Sequence, residues 1–124
     1  MKVIAFNGSP RKDGNTATLI RRVLQVLEKK GIDTELIQLA GEHIRGCNAC
    51  RTCYKTKNKR CVIEDDNVNA YIQKMLEADG IILGSPVYFS MMTPGLKALV
   101  DRAGYVAGAN RDMFKRKVGA AVVA

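Results

Sequence analysis

Residues 3–16 read Val-Ile-Ala-Phe-Asn-Gly-Ser-Pro-Arg-Lys-Asp-Gly-Asn-Thr, and this stretch organises the rest of the chain. Residues 3–6 are a short apolar run, which predicts a buried strand. A polar loop rich in Gly and Ser follows, and helical periodicity begins after it. A strand, a loop of this composition and a helix start, in that order, predict an anion-binding site.

The loop at residues 7–16 has the donors that an anion requires. The first amides of a helix lack partners within the helix, and the helix dipole adds partial positive charge. Ser9, Asn15 and Thr16 can donate hydrogen bonds, and Arg11 adds a full charge. The loop matches neither a Walker A loop nor G-x-G-x-x-G, so a monophosphate fits better than a triphosphate or a pyrophosphate. The alternative is an ordinary strand-to-helix connection with Asn15 as the N-cap.

Composition narrows the class of protein. The chain has 124 residues, 47% hydrophobic residues and a net charge of +8, which predicts one packed domain over residues 1–124. No apolar run could span a membrane, and Met1 leads straight into a strand, so we expect no membrane segment, no signal peptide and a cytoplasmic location. Basic and aromatic residues are not interleaved, so we expect no nucleic-acid partner. The charge suits a soluble surface, a phosphorylated cofactor or an acidic protein.

Strand and helix patterns alternate along the chain. The predicted elements are a strand at 2–6, a helix at 15–29, a strand at 34–39, a helix at 67–78, a strand at 80–84, a helix that starts at Pro94 after an N-cap at Thr93, a basic connection at 104–116 and a strand at 117–124. Such alternation predicts a parallel sheet covered by helices on both faces. In the strand order 2-1-3-4-5, the ligand lies at the carboxyl ends of strands 1 and 3.

The apolar run at residues 118–124 reaches the end of the sequence. A buried parallel strand is unfavourable as an exposed apolar edge. We therefore expect a fifth strand and two further helices beyond residue 124, which this sequence lacks, or a second chain against the edge. We favour the first of these.

The loop after the third strand suits a planar, partly polar ring. Pro86 fixes the chain direction, and the amides after it are expected to stay free for the edge of a heteroaromatic ring. Tyr88 and Phe89 offer flat surfaces beside Val87, as an isoalloxazine ring requires. On spacing alone, packing of these three side chains onto the core is an equally good explanation.

The cysteines Cys47, Cys50, Cys53 and Cys61 all lie in one segment, with the spacing C-x2-C-x2-C-x7-C. In a chain that we expect to be cytoplasmic, such a cluster favours a metal or cluster site over disulfides. Three cysteines at two-residue gaps with a distant fourth are typical of 4Fe-4S sites, whereas structural zinc more often pairs two C-x2-C units. We therefore predict a cluster-binding insertion at residues 46–61. Zinc and free or disulfide-linked thiols are the alternatives.

Four basic residues occupy the long gap before Cys61, namely Lys55, Lys57, Lys59 and Arg60. They would tune the potential of a cluster or receive an acidic redox partner. The simpler explanation is a solvated loop.

With these motifs assembled, the chain resembles the iron–sulfur flavoproteins, a branch of the flavodoxin-like NAD(P)H-dependent FMN reductase superfamily. The resemblance covers the whole chain. Its motifs are GSPR with GNT at residues 8–16, the cysteine pattern followed by VIEDD at 62–66, and SPVY at 85–88 with P-x2-KAL-x-DR at 94–102. The first and last occur across the superfamily, whereas the cysteine pattern is specific to the iron–sulfur branch.

This resemblance implies a flavodoxin-like three-layer sandwich with FMN as prosthetic group. It implies that the FMN phosphate is held by Ser9, Arg11, Asn15 and Thr16, that the isoalloxazine is lined by Pro86, Val87, Tyr88 and Phe89, and that a 4Fe-4S cluster is held by Cys47, Cys50, Cys53 and Cys61. It also implies homo-oligomers, dimers or tetramers, in which FMN of one subunit lies near the cluster of another, and a ferredoxin-like electron donor. Two departures are the long gap before the fourth cysteine and the absence of the family's flavin-contacting loop after strand 4.

Three functions are compatible with this sequence. The favoured one is an electron-transfer flavoprotein that passes electrons between a 4Fe-4S cluster and FMN. The cofactors would carry the chemistry, so no catalytic residue is predicted. The second is an NAD(P)H-dependent FMN or quinone reductase without a functional cluster. The third is a non-catalytic, zinc-binding flavodoxin-like module.

Overall fold

The computed structural model describes residues 1–124 and contains four strands and four helices. The strands are β1 (Lys2–Asn7), β2 (Asp33–Gln38), β3 (Gly80–Ser85) and β4 (Val118–Val123). The helices are α1 (Asn15–Glu28), α2 (Thr52–Thr56), α3 (Val68–Glu77) and α4 (Pro94–Ala109). The predicted alternation of strands and helices is confirmed, with boundaries within one residue for most elements.

The four strands are parallel and lie in the order β2-β1-β3-β4. This is the flavodoxin-like order that the sequence predicted. In the register of the sheet, Asn7 at the end of β1 lies beside Gln38 of β2 and Gly84 of β3. The carboxyl ends of three strands therefore meet at one edge, which is where open parallel sheets bind ligands.

Helices cover both faces of the sheet, which gives three layers. Because side chains alternate along a strand, Ile4 and Phe6 face one side of β1 while Val3 and Ala5 face the other. The larger core, with 16 buried residues, packs beneath α3 and α4. The smaller core, with five, packs beneath α1. The face that carries α4 is thus the better-covered one, and it also positions the cysteine segment.

Two helices differ from the prediction. Helix α2 lies inside the cysteine segment, where no helix was expected. Helix α4 runs to Ala109, although a connection was predicted from residue 104. Val106 and Ala109 extend its buried stripe, and Gly104 is accommodated because it is exposed. None of the four helices is long and apolar enough to cross a lipid bilayer.

Strand β4 is the outer strand on the β3 side of the sheet. Val118 and Val123 are 72% and 64% exposed, so the apolar edge expected from the sequence is present. The elements expected to cover it remain a prediction.

Candidate functional site

The β1–α1 loop, residues 8–14, is held in place by both neighbouring segments. The Gly8 amide donates to the carbonyl of Gly84 at the end of β3, over 2.8 Å. The hydroxyl of Thr93 donates to the carbonyl of Gly8 over 2.7 Å. Within the loop, the Asn7 side chain accepts from the amide of Ser9 at 3.1 Å. The loop shape is therefore set by the protein itself.

The first turn of α1 presents backbone donors to this loop. Helix α1 begins at Asn15 with Gly14 as its N-cap, and no side chain caps it. The alternative in which Asn15 is the N-cap is wrong, because the chain is already helical at that residue. Uncapped amides and the positive end of the helix dipole together attract an anion.

A pocket of about 360 Å³ opens over the loop. Six of the eight residues predicted to hold FMN line it: Ser9, Arg11, Asn15, Thr16, Pro86 and Tyr88. Arg11 is the only charged side chain in this lining, so the electrostatic field of the pocket is positive. The two loops that the sequence singled out therefore meet at one site.

Val87 and Phe89 lie outside this pocket. Val87 is 64% exposed and Phe89 is fully exposed. Val87 precedes, and Phe89 lies within, a tight turn in which Tyr88 and Met91 exchange backbone hydrogen bonds of 2.8 and 2.6 Å. This exchange occupies the Tyr88 amide, so the expectation that the amides after Pro86 stay free is wrong at that residue. Contact of Val87 and Phe89 with a flavin stays a prediction.

The cysteine segment, residues 46–61, packs against the later part of α4. One small cavity is lined by all four thiols: Cys47, Cys50, Cys53 and Cys61. Arg102, Tyr105 and Val106 of α4 complete one wall. The segment winds closely because α2 carries Cys53 inward, where its sulfur lies 3.7 Å from the Tyr105 carbonyl oxygen.

The donors in this cavity fit an iron–sulfur cluster or zinc. The lining contains four thiols and no His, Asp or Glu, and such soft donors suit these metals. No three His, Cys, Asp or Glu side chains are arranged to hold a metal ion. The cavity volume is about 20 Å³, room for about one water molecule. The segment must therefore spread to admit a larger group.

The surroundings of Cys50 and Cys53 shift the pKa values of the two thiols in opposite directions. A hydrogen bond with the Thr52 side chain is the main cause that lowers the pKa of Cys50, which is exposed. Burial raises the pKa of Cys53. The thiolate is the form that binds metals, so these shifts favour Cys50 over Cys53 as a metal ligand.

Three residues with no role assigned from sequence hold Cys61 in place. The Arg102 guanidinium donates from Nε to the Cys61 sulfur at 3.4 Å and forms an ion pair with Asp66. The Asn69 side chain accepts from the Cys61 amide at 2.8 Å and donates to its carbonyl at 2.9 Å. A signal for Arg102 was present, since it follows Leu99 by three residues on the buried stripe of α4.

The two sites lie far apart along α4. Thr93, just before the helix, bonds to the β1–α1 loop, whereas Cys53 meets the helix at Tyr105. Twelve residues at 1.5 Å each separate these points by roughly 18 Å along the helix axis. The pocket and the cavity share no lining residue.

Comparison with protein families gives one match over the whole chain, since residues 1–124 match the family described as NADPH-dependent FMN reductase. The chain belongs to this family. The resemblance inferred from its motifs is thereby confirmed at the level of the superfamily, and several relatives are named iron–sulfur flavoproteins.

Two relatives of this FMN reductase family member are archaeal iron–sulfur flavoproteins. The one from Methanocaldococcus jannaschii is 48% identical over 103 residues, which cover 83% of the chain and 52% of that protein. The one from Methanosarcina thermophila is 38% identical over 122 residues, 98% of the chain and 62% of that protein. The chain thus spans between about half and three fifths of the length of these relatives.

Solved structures support the fold. An NAD(P)H:quinone oxidoreductase from Methanothermobacter marburgensis matches 99% of the chain with a TM-score of 0.74 and 16% sequence identity. The matched region is 63% of that protein. The flavodoxin-like arrangement of strands and helices is therefore shared at low sequence similarity.

Proposed function

We propose that the chain binds FMN in the pocket of the β1–α1 loop, with the phosphate at the first turn of α1. The support is the convergence of uncapped amides with Ser9, Asn15, Thr16 and the single charge of Arg11 in one pocket. Pro86 and Tyr88 border the same pocket and would contact the ring system. FMN then bridges the two loops, with its anionic end at the helix and its flat end at the aromatic loop.

The four cysteines are proposed to hold a 4Fe-4S cluster, and the whole protein to act as an iron–sulfur flavoprotein that passes electrons between the cluster and FMN. The observation that carries this proposal is the cavity lined by four thiols and no other metal ligand, in an FMN reductase family member whose relatives bear that name. When bound, the two cofactors supply the redox chemistry, and the protein supplies orientation and electrostatics.

An anaerobic spectrum separates this function from its alternatives. The chain is incubated with FMN, iron and sulfide, desalted, and recorded before and after dithionite. Flavin bands with a broad shoulder that dithionite bleaches, together with stoichiometric iron, support the proposal. Flavin bands without iron, or a colourless protein with stoichiometric zinc, contradict it.

A second experiment tests the phosphate position. Arg11→Ala removes the only charged side chain in the pocket, so FMN should bind about tenfold more weakly, as expected for an exposed charge-assisted hydrogen bond. Riboflavin has no phosphate and should lose little affinity. Fluorescence titration measures both ligands, and Lys12→Ala, a neighbouring charge outside the lining, is the matched control. Equal losses for FMN and riboflavin would contradict the assignment.

The second candidate function is an NAD(P)H-dependent FMN or quinone reductase without a cluster. The description of the matched family favours it, as does the absence of three metal-ligating side chains arranged around one point. It predicts rapid bleaching of bound flavin by NADPH or NADH, with the rate unchanged in Cys50→Ala. Slow bleaching by both nucleotides, with fast reduction of a cluster-loaded sample by a low-potential donor, would exclude this candidate.

A homo-oligomer is proposed to bring the two cofactors together. Electron tunnelling slows steeply with distance, and the two sites of one chain lie roughly 18 Å apart along α4. The turn beside the FMN pocket exposes Val87, Phe89 and Met91, an apolar surface suited to the cysteine segment of a second copy. Sedimentation of the cofactor-loaded protein should give a dimer or tetramer, and Phe89→Ser should shift it toward monomer. A monomeric wild-type protein with full electron transfer would contradict this arrangement.

A ferredoxin-like partner is proposed for the basic side of the cysteine segment. All four basic residues between Cys53 and Cys61 are exposed: Lys55, Lys57, Lys59 and Arg60. An acidic redox protein would be steered to them, so its reduction rate should fall steeply with salt. A rate independent of salt would contradict this docking side. Free thiols in one segment also favour a reducing compartment, so a cytoplasmic location is proposed.

A further inference from the structure

Arg102 is the largest fully buried side chain, only 1% exposed. A buried guanidinium is costly unless its donors are bonded. Here Nη1 donates to the Arg45 carbonyl at 3.2 Å and to Asp66, and Nη2 donates to the Ile63 carbonyl at 2.9 Å. The third nitrogen, Nε, donates to the Cys61 sulfur at 3.4 Å. Each of the three guanidinium nitrogens therefore has a partner, and one of these partners is the sulfur of a thiol.

The backbone partners of Arg102 flank the cysteine segment on both sides. Arg45 comes directly before residues 46–61, and Ile63 follows two residues after Cys61. One guanidinium thus closes the base of the segment. Asp66 neutralises it in a buried ion pair in which the two side chains are 0% and 3% exposed.

Both side chains of this ion pair stay charged. Burial would lower the pKa of Arg102, but the hydrogen bonds to Asp66 and Cys61 outweigh it and raise the pKa. Burial would likewise raise the pKa of Asp66, but hydrogen bonds from Arg102 and from the Val68 and Arg45 amides lower it. Arginine stays protonated in proteins, so the guanidinium that lies 3.4 Å from the Cys61 sulfur carries a positive charge, which is paired with the Asp66 carboxylate.

We propose that Arg102 is a positioning residue of the cysteine site, which holds Cys61 as a ligand and raises the reduction potential of the iron–sulfur cluster. This inference rests on the proposed function. Reduction adds one negative charge to the cluster and its sulfur ligands. A hydrogen bond and a positive charge at a ligand sulfur stabilise the reduced form more than the oxidised form. The buried position of Arg102 makes this effect large, because water screens it little.

Two substitutions separate this positioning role from a purely structural role of Arg102. Arg102→Lys keeps the charge but has no fork that can reach the sulfur and both carbonyls at once. Asp66→Asn keeps Arg102 and its Nε donor but removes the neutralising charge. Both variants loosen the same ion pair, so a purely structural role predicts potentials that shift together or not at all. The positioning role instead predicts a lower potential in Arg102→Lys and an equal or higher potential in Asp66→Asn.

The experiment measures midpoint potentials of the full chain, reconstituted anaerobically with iron and sulfide. Arg102→Lys should lower the reduction equilibrium constant about tenfold, which is about 59 mV for a one-electron couple. Asp66→Asn should give a potential equal to or above that of the wild type. Lys97→Gln, which removes an exposed charge from the same helix, is the control and should match the wild type. An unchanged potential in Arg102→Lys, or equal shifts in both variants, would overturn the inference.

A second variant keeps the inference testable if Arg102→Lys fails to fold. If Arg102→Lys does not fold, the double variant Arg102→Gln with Asp66→Asn leaves no buried charge unpaired and keeps a hydrogen-bonding side chain at both positions. Its potential should still fall, because the sulfur has lost its charged donor. If it stays at the wild-type value, the inference is wrong. A wild-type chain that takes up no iron and sulfide rejects the proposed function and this inference together, whereas a loaded chain with an unchanged potential in the variants rejects only the inference.

Discussion

The β1–α1 loop and the cysteine segment both lie between major elements of the fold, yet the protein supports them differently. The loop is bonded to Gly84 and Thr93 and opens into a pocket of about 360 Å³. The segment surrounds only about 20 Å³. It also holds four of the seven non-glycine residues with positive φ: Ala49, Arg51, Lys57 and Lys59. Each such residue costs roughly 1–2 kcal/mol and persists only when its surroundings hold it.

This contrast shows two ways to build a ligand site. The sheet edge shapes the first site from protein contacts alone, so its ligand meets a finished pocket. The second site depends on Arg102 at its base and on whatever joins its thiols. Ligand loss should therefore leave the loop intact and loosen the segment.

The largest expected effect is at the thiols. Cys50→Ala should remove nearly all bound iron, because three ligands cannot close the site, while FMN affinity changes by less than about twofold. Iron analysis and flavin fluorescence measure the two. Thr56→Ala, in the same segment, should keep both. Unchanged iron content would refute the cluster, and loss of FMN together with iron would show that the two regions are not independent.

The next effect is at Gly8. A Cβ added there would lie 2.8 Å from the Leu96 Cβ and 3.0 Å from the Gly84 carbonyl oxygen. Gly8→Ala should therefore cost about 1–3 kcal/mol of unfolding free energy and weaken FMN about tenfold, with iron content unchanged. Urea unfolding and flavin titration provide the readouts.

The matched control for Gly8 is Gly104, which is exposed on α4 with nothing within 4 Å of an added Cβ. Gly104→Ala should raise the unfolding free energy by about 0.5–1 kcal/mol, since alanine is the better helix former. A stable Gly8→Ala protein with normal FMN affinity would show that the loop is less rigid than its contacts indicate.

A third, smaller effect tests strain in the cysteine segment. Lys57 ends α2 with φ of 48°, so Lys57→Gly should stabilise the chain by about 1 kcal/mol. Lys55 lies within α2, so Lys55→Gly should destabilise it by about the same amount. Both variants lose one lysine charge, and only the backbone geometry differs. Urea midpoints that move in the same direction would argue against local strain.

The smallest effect is remote from both sites. Glu35 on β2 bonds to Lys74 of α3 and lies 3.3 Å from Lys2. The Lys74 hydrogen bond is the main cause that lowers the pKa of Glu35, with Lys2 adding to it. Ionised Glu35 therefore stabilises the folded protein above about pH 4.3, the ordinary pKa of glutamate. This stabilisation is lost as the pH falls through the lower pKa of Glu35 in the folded state.

Glu35→Gln measures that contribution. Its unfolding free energy should lie about 0.2–1 kcal/mol below that of the wild type at pH 6, and the gap should narrow as the pH falls below about 4.3. FMN and iron binding at pH 7 should not change. A gap that widens in acid would reverse the assigned direction of the pKa shift.

Much of the pocket over the β1–α1 loop could be predicted because its position follows from the fold. Alternation of strands and helices requires parallel pairing, and parallel strands end at one edge. Ser9 and Pro86 are 77 positions apart, yet both follow a strand that ends there. Val87 and Phe89 could not be placed in the same way. Their direction depends on the turn that Tyr88 and Met91 close, and composition alone does not define that turn.

The sequence by itself determined the order of elements along the chain and the grouping of four thiols, because periodicity and spacing are local properties. Only the tertiary structure decided which side chain supports those thiols. Arg102 and Cys61 are 41 positions apart, and their contact depends on how α4 packs over the core. The end of α4 at Ala109 was decided in the same way, since burial of Val106 outweighs the low helix propensity of Gly104. Packing across the molecule is the physical reason in both cases.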